Sequence, residues 1–432
     1  MGATMSGNMR SVFSIFSRDK KQKGAAEGDE TAQKVKKLVE MFPMLDSEMI
    51  SSVLEANEGD IDKTREMFMP LGPNIKEDPE KRPPSRAGPE DGATTARKGS
   101  VKDLEELIVW AGSADIDERY QAARAFADLS MAVEQRTRMV RVGALPSLLS
   151  LLASPSFEVQ RCAVVAIANL ALVDEIQGQL SEAGAIPLLV ALAVVVEADM
   201  QLQVARALAN VAFCHEENEA QIVYAGALTP LLSMLADCAD TETRVEAVAA
   251  LANLARSAIA QRRIVEEGGL GPLVSAIQEY PDEEIVKQVL RCLANLLLLP
   301  ANTGAVRDAP VIETLLAVIR REDASSDAQR LSGMALANLA ESKEMQGHMV
   351  AVGCLGPIDL LLRSGNEDME LQAARCLASL ASHEENKPEI ARSIGIPFFI
   401  KLAQNRTEKV QILAATCLGH LSTVGGLSAS WG

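Results

Sequence analysis

The residues best placed to do chemistry in this chain are five asparagines. Asn169, Asn210, Asn253, Asn295 and Asn338 each stand fourth in a six-residue phrase of the type Ala-Leu-Ala-Asn-Leu-Ala, and successive members lie 41, 43, 42 and 43 residues apart. A side-chain amide both donates and accepts, so such a row can pair with the N–H and C=O groups of an extended peptide whatever its side chains. The same amides can instead bond to carbonyls of neighbouring segments within the protein. Four residues before each position, one helical turn away, stand Arg124, Val165, Arg206, Ala249, Arg291, Met334, Arg375 and Thr416. Arginine recurs in alternate units and suits acidic side chains of a bound segment, or acidic neighbours in adjacent turns. If helices stack at roughly 8–10 Å, alternate arginines stand about 20 Å apart. An extended strand advancing ~3.3 Å per residue then meets them about six residues apart.

Reaction chemistry finds less support. The four histidines include His215-Glu-Glu-Asn218 and His383-Glu-Glu-Asn386, each half of a zinc-protease motif, but Glu219 and Lys387 occupy the places of the second His. The seven cysteines form no C-x-x-C pair. Cys292, Cys376 and Cys417 share one slot with Ala125, Ala166, Ala207, Ala250 and Ala335, which makes them small apolar core residues. There is no phosphate-cradling glycine loop and no nucleophile elbow. The expectation is a non-enzymatic protein with no metal and no cofactor.

The elements that carry the asparagines repeat with them. A Gly turn opens a first apolar helix, as in Val142-Gly143-Ala144-Leu145-Pro146 and Ala183-Gly184-Ala185-Ile186-Pro187. A polar turn follows, and then a longer helix with apolar residues at i, i+3, i+4 and i+7, such as Val159, Ala163, Ala166, Ile167 and Leu170. Asp128, Ser379 and His420 extend the Asn series to eight units. A period in the 40–47 range marks a helical array. The Gly-Ala-Leu/Ile-Pro turn, the Leu-Leu pair and the terminal Ala-Leu-Ala-Asn-Leu-Ala together resemble armadillo repeats. The fifth turn departs, with Val311 where Gly is expected.

The resemblance implies an all-α fold, a right-handed α-solenoid of about eight repeats whose third helices line a peptide-binding groove. It implies peptide contacts for Asn169, Asn210, Asn253, Asn295 and Asn338, with Arg124, Arg206, Arg291 and Arg375 flanking them. Importin-α-like members carry tryptophans at the arginine slot to hold lysine stems. This chain has none there, which disfavours a basic transport cargo.

Ahead of the array, Leu38-Val-Glu-Met41-Phe42-Pro43, Ile50-Ser-Ser-Val53-Leu54 and Gly59-Asp60-Ile61-Asp62 read as three short amphipathic helices. They resemble a CUE domain, a small three-helix ubiquitin-binding module. The resemblance implies a weak ubiquitin contact through Met41, Phe42, Pro43, Phe68 and Met69. Phe68-Met69 replaces the family's Leu-Leu, and Arg65 stands where an apolar residue is usual. The same apolar residues can instead staple the helices together or dock the module on the array. The expected organisation is a tail over 1–31, the CUE-like module over 32–69, a disordered linker over 70–102, the array over 103–424 and a C-terminal tail over 425–432. Six prolines and four glycines between 70 and 100 define the linker.

Composition agrees with this plan. Hydrophobic residues make up 48% of the chain but aromatics only 3%, as closely packed Ala/Leu/Val helices require. The net charge of −17 argues against nucleic-acid binding by the bulk surface. Cysteine usage and the absence of a secretory h-region point to the cytoplasm or nucleus. Met1-Gly2 followed by Ser6 matches a myristoylation pattern, with Arg18, Lys20, Lys21 and Lys23 as a second membrane signal. Two functions follow. One is an adaptor whose groove holds an extended, acidic client segment while the CUE-like module binds ubiquitin. The alternative is a membrane-tethered scaffold, lipidated at Gly2, without ubiquitin binding.

Overall fold

The computed structural model describes residues 101–422, except Pro281 and residues 405 and 406, together with Lys36. The positions read as lipidation and ubiquitin sites, Gly2, Met41, Phe42, Pro43, Phe68 and Met69, lie outside the described residues, as do most of the linker and the C-terminal tail. The first helix of the array opens at Val101, two residues ahead of the expected start.

The described residues are helical, with no strand among them. Eight long helices recur at the predicted period: α1 (Ile116–Ser130), α2 (Phe157–Leu170), α3 (Ala198–Val211), α4 (Thr241–Leu254), α5 (Glu283–Leu296), α6 (Ser326–Ala340), α7 (Glu367–Leu380) and α8 (Glu408–Leu421). Each carries one member of the Asn series and is the third helix of its unit.

Their starts are written locally. Asp240 Oδ2 accepts from Thr243 N–H at 2.8 Å, Asp282 Oδ1 from Glu284 N–H and Ile285 N–H at 3.0 and 3.1 Å, and Asn366 Oδ1 from Asp368 N–H and Met369 N–H at 3.0 and 3.2 Å. Such caps contribute about 1 kcal/mol each. The Thr243 hydroxyl and N–H, bonded to Asp240, hold its carboxyl below the usual carboxylate range. The Gly turns need left-handed backbone: Gly353 has φ +89, where a Cβ would cost roughly 1–2 kcal/mol. At the fifth turn Pro310, with φ −77 and ψ 42, makes the corner without that geometry. This explains how Val311 is tolerated there.

The described residues of the array divide into two bodies: 101–173 with 183–188, and 174–182 with 189–422. In the first, α1 packs on α2. In the second, α3 to α8 pack side by side in chain order, and α4 to α8 each also pack against the preceding shorter helix of their own unit. Close approach is possible because the packing slots hold Ala166, Ala207, Ala250, Cys292, Ala335, Cys376 and Cys417, all essentially without exposure. Burial pushes the thiols of Cys292 and Cys417 up to about 12 and that of Cys376 well above its ordinary value, so all three pack as neutral small residues. No single helix among the described residues is long and apolar enough to cross a membrane.

Candidate functional site

The asparagines stand near the ends of the long helices, and their amide hydrogens turn inward. In the second body Asn253 Nδ2 donates to Ala209 O at 2.9 Å, Asn295 Nδ2 to Ala252 O at 3.2 Å and Asn338 Nδ2 to Ala294 O at 2.8 Å. Each bond crosses to the residue just before the preceding Asn position. In the first body Asn169 Nδ2 donates to Ser130 Oγ at 2.9 Å, and that hydroxyl donates to Ala127 O at 2.6 Å. Asn210 lies half-buried on α3. A carbonyl can only accept, so these bonds assign nitrogen to the inner side of each amide. The expected dual role is thereby divided. Nδ2 joins units, while Oδ1 of Asn253 and Asn295 accepts no hydrogen bond among the described residues. Asn338 Oδ1 takes one from Arg375 Nη2 at 3.3 Å.

The arginines are not equivalent. Arg206 on α3 donates Nη2 to Glu242 Oε1 at 2.6 Å and Nε to Glu246 Oε1 at 2.9 Å, both on α4. Desolvation opposes its charge, but the two carboxylates prevail and raise its pKa. Arg375 pairs with Glu341 at 2.9 Å. Arg291 donates only to the neutral Gln288 Oε1, at 2.7 Å, and makes no ion pair among the described residues. Arg124 is exposed on α1, also without an ion pair among them. Neighbour pairing therefore describes Arg206 and Arg375, while Arg291 and Arg124 keep a charge unmatched by carboxylate.

One turn beyond the Asn positions runs a further row, in which the sequence pointed to the cationic Arg256 but not to its large apolar members. In the second body it reads Phe213, Arg256 and Leu298, with Phe213 46% and Leu298 49% exposed. Arg256 Nη1 donates to Cys214 Sγ at 3.0 Å. Burial pushes the nearby Glu219 carboxyl above its usual range, against the pull of Arg256. The signal was present as one large apolar residue three positions after Asn210 and Asn295, in a region where polar turn residues begin.

The two His-Glu-Glu-Asn segments prove to be joints. Buried Asn218 donates Nδ2 to Val211 O at 2.9 Å and to Gln177 O at 3.1 Å. Asn386 does the same to Leu380 O at 3.1 Å and Gln346 O at 3.0 Å, and Asn302 to Leu296 O at 2.9 Å and Gln261 O at 3.2 Å. In the units between, Gln261 and Gln346 donate to Ala255 O and Ala340 O, at 2.9 and 3.0 Å. His215 Nδ1 accepts from Asn218 N–H at 3.4 Å. Its Nε2 lies where a Cβ on Gly178 would come within 3.2 Å, and His383 stands likewise against Gly347. This second row alternates Asn and Gln, in step with the alternate arginines. Among the described residues no His, Cys, Asp and Glu cluster could hold a metal ion.

This third-helix face, a polar acceptor row beside cationic and apolar side chains, is suited to holding a polypeptide segment. The family description "Armadillo/beta-catenin-like repeat" matches residues 133–172, 215–256 and 261–298, and "CUE domain" matches residues 31–68. A search of curated proteins finds no match. Among solved structures, an engineered protein is similar at 32% identity and a TM-score of 0.69, over 74% of this chain and 78% of its own. A designed armadillo repeat protein in complex with the peptide (KR)4 is 27% identical, with a TM-score of 0.51 over 55% of this chain and 99% of its own. A structure described as concerning a phosphorylation switch in the interaction between cadherin and beta-catenin shares the fold alone, at 18% identity and a TM-score of 0.66 over 74% and 61% of the two chains. The chain belongs to the armadillo-repeat family and carries a CUE domain ahead of its array.

Proposed function

We propose that the protein is an adaptor: the third-helix face of the second body holds an extended client segment, and the CUE domain binds ubiquitin or a ubiquitinated protein. The observation that carries the first half is the placing of the Asn253 and Asn295 Oδ1 atoms, which accept no hydrogen bond among the described residues, on the same face as Phe213, Leu298 and Arg291. The amide oxygens accept peptide N–H groups, Phe213 and Leu298 cover apolar client side chains, and Arg291 pairs with a carboxylate. A similar designed protein holds the basic peptide (KR)4. Arginines at 206, 291 and 375 repel such a sequence and favour an acidic one. Arg206 must share its charge with Glu242 and Glu246, so Arg291 is the stronger contact. Tethering a ubiquitin module to this face raises the local concentration for the second contact once the first is made.

Replacing Arg291 with Glu removes only a bond to Gln288 and reverses one charge on the face. An acidic client captured by the full chain is expected to bind about tenfold more weakly, the scale of one close charge pair. Unchanged capture would remove the acidic-client reading. For the CUE domain, labelled ubiquitin titrated with the full chain is expected to show saturable shifts. Replacing Met41 and Phe42 with alanine should abolish them. No shifts at millimolar concentration would remove ubiquitin from the account.

A further inference from the structure

The last long helix, α8, has no following helix to cover it among the described residues. In α3 to α7 the residues one, two and five before the Asn position are buried, because the next long helix packs alongside. Ala374, Leu377 and Ala378 of α7 are 1%, 0% and 7% exposed. Their counterparts in α8 differ: Ala415 and Gly419 are exposed and Leu418 is half-buried. Ile412, on the same side, is 58% exposed. Positions 412, 415, 418 and 419 follow the three- and four-residue spacing of one helix face. The hydroxyls beside them are already satisfied, Thr416 donating to Ile412 O at 2.8 Å and Ser422 to Gly419 O at 2.7 Å. So α8 presents an apolar strip where a further unit would pack, although the end of a solenoid needs a polar outer side.

The chain supplies a segment that fits this strip. Residues 423–432 follow directly, carry no charged side chain, and have Leu427 and Trp431 as their large apolar members. Gly425-Gly426 lets the backbone reverse direction. The five residues from Leu427 to Trp431 then reach about 16 Å back along the helix, at ~3.3 Å each. Gly419 and Ile412 lie seven helical residues apart, about 10 Å. Leu427 therefore reaches the small residues Gly419 and Ala415, and Trp431 reaches Ile412. A second copy fits the strip less well. One face of a 14-residue helix, about 21 Å long and about 10 Å wide, offers about 200 Å². Each partner in a stable dimer buries about 800 Å².

We propose that residues 423–432 fold back along α8 and cap the array, with Leu427 and Trp431 lying on the strip formed by Ile412, Ala415, Leu418 and Gly419. The cap does for α8 what each following helix does for the one before it. It also closes this end of the array against stacking on other copies of the chain. It does not depend on what the third-helix face holds.

The test uses the full chain carrying Trp110→Phe, which leaves Trp431 as the single tryptophan. Acrylamide quenching of Trp431 fluorescence is expected to be about threefold weaker than in a free peptide of residues 423–432, because the ring is covered. Adding Ala415→Glu and Gly419→Glu places two carboxylates on the strip. Both positions are exposed, and a Cβ at 419 meets no atom within 4 Å, so α8 keeps its packing. In that variant quenching should rise to the level of the free peptide while the circular dichroism stays unchanged. Quenching of the Trp110→Phe protein as strong as that of the peptide overturns the cap. Protection that survives the two Glu substitutions places Trp431 elsewhere and also overturns it. Protection that grows with protein concentration, together with dimers in analytical ultracentrifugation, gives the strip to a second copy and overturns the cap as well.

Discussion

Replacing Asn302 with alanine lowers the stability of the array by about 2–4 kcal/mol, more than the loss of an asparagine on the third-helix face. Asn302 is 3% exposed and gives one Nδ2 to two carbonyls, Leu296 O within its own unit and Gln261 O in the unit before. Alanine removes both bonds from a site closed to water; Leu296 O keeps only the long bond from Leu299 N–H at 3.4 Å, and a buried polar group left short of its partner costs about 1–3 kcal/mol. By contrast, Asn295 is half-buried and makes one such bond, at 3.2 Å, so its removal costs about 1 kcal/mol. Urea unfolding followed by circular dichroism measures both. An Asn302→Ala shift below about 0.5 kcal/mol would show that the joint between units does not depend on this amide.

The second large effect is on binding. The double variant Asn253→Ala/Asn295→Ala removes two neighbouring acceptors from the face of α4 and α5. Two hydrogen bonds from peptide N–H groups, each worth about 1–1.5 kcal/mol, correspond to a loss of about 30-fold to 150-fold in affinity. The variant also gives up the bonds to Ala209 O and Ala252 O, and with them about 2 kcal/mol of stability. That places it beside Asn302→Ala in destabilisation. The two proteins are therefore matched in stability and differ in whether the changed atoms reach the candidate site.

Much of the architecture could be read from the residues. The Ala-Leu-Ala-Asn phrase counted the units, the Gly turns placed the corners, and the Cys residues in the Ala slot took up core positions as neutral thiols. These are local or periodic signals, and helices obey them directly. The direction of each asparagine amide was not legible, because its acceptor lies in another unit more than 40 positions earlier in sequence. For the same reason Arg206 could not be told from Arg291. Its partners Glu242 and Glu246 lie 36 and 40 positions away, and only the packing of α3 on α4 brings them together. The second row escaped notice because Asn218, Asn302 and Asn386 alternate with Gln261 and Gln346 and shift by a residue where a short 3-10 turn intervenes. A search for one residue type at one spacing passes over such a series.

The most direct test of the groove is the affinity of one peptide for three full-length proteins. A peptide retained by wild type from a fully randomised 16-residue library is titrated, by fluorescence anisotropy, against wild type, Asn253→Ala/Asn295→Ala and Asn302→Ala. The expected result is a loss of about 30-fold or more for the double variant and wild-type affinity for Asn302→Ala. Equal binding by all three, or an equal loss in both variants, would contradict the assignment of the asparagine row as the surface that holds the client.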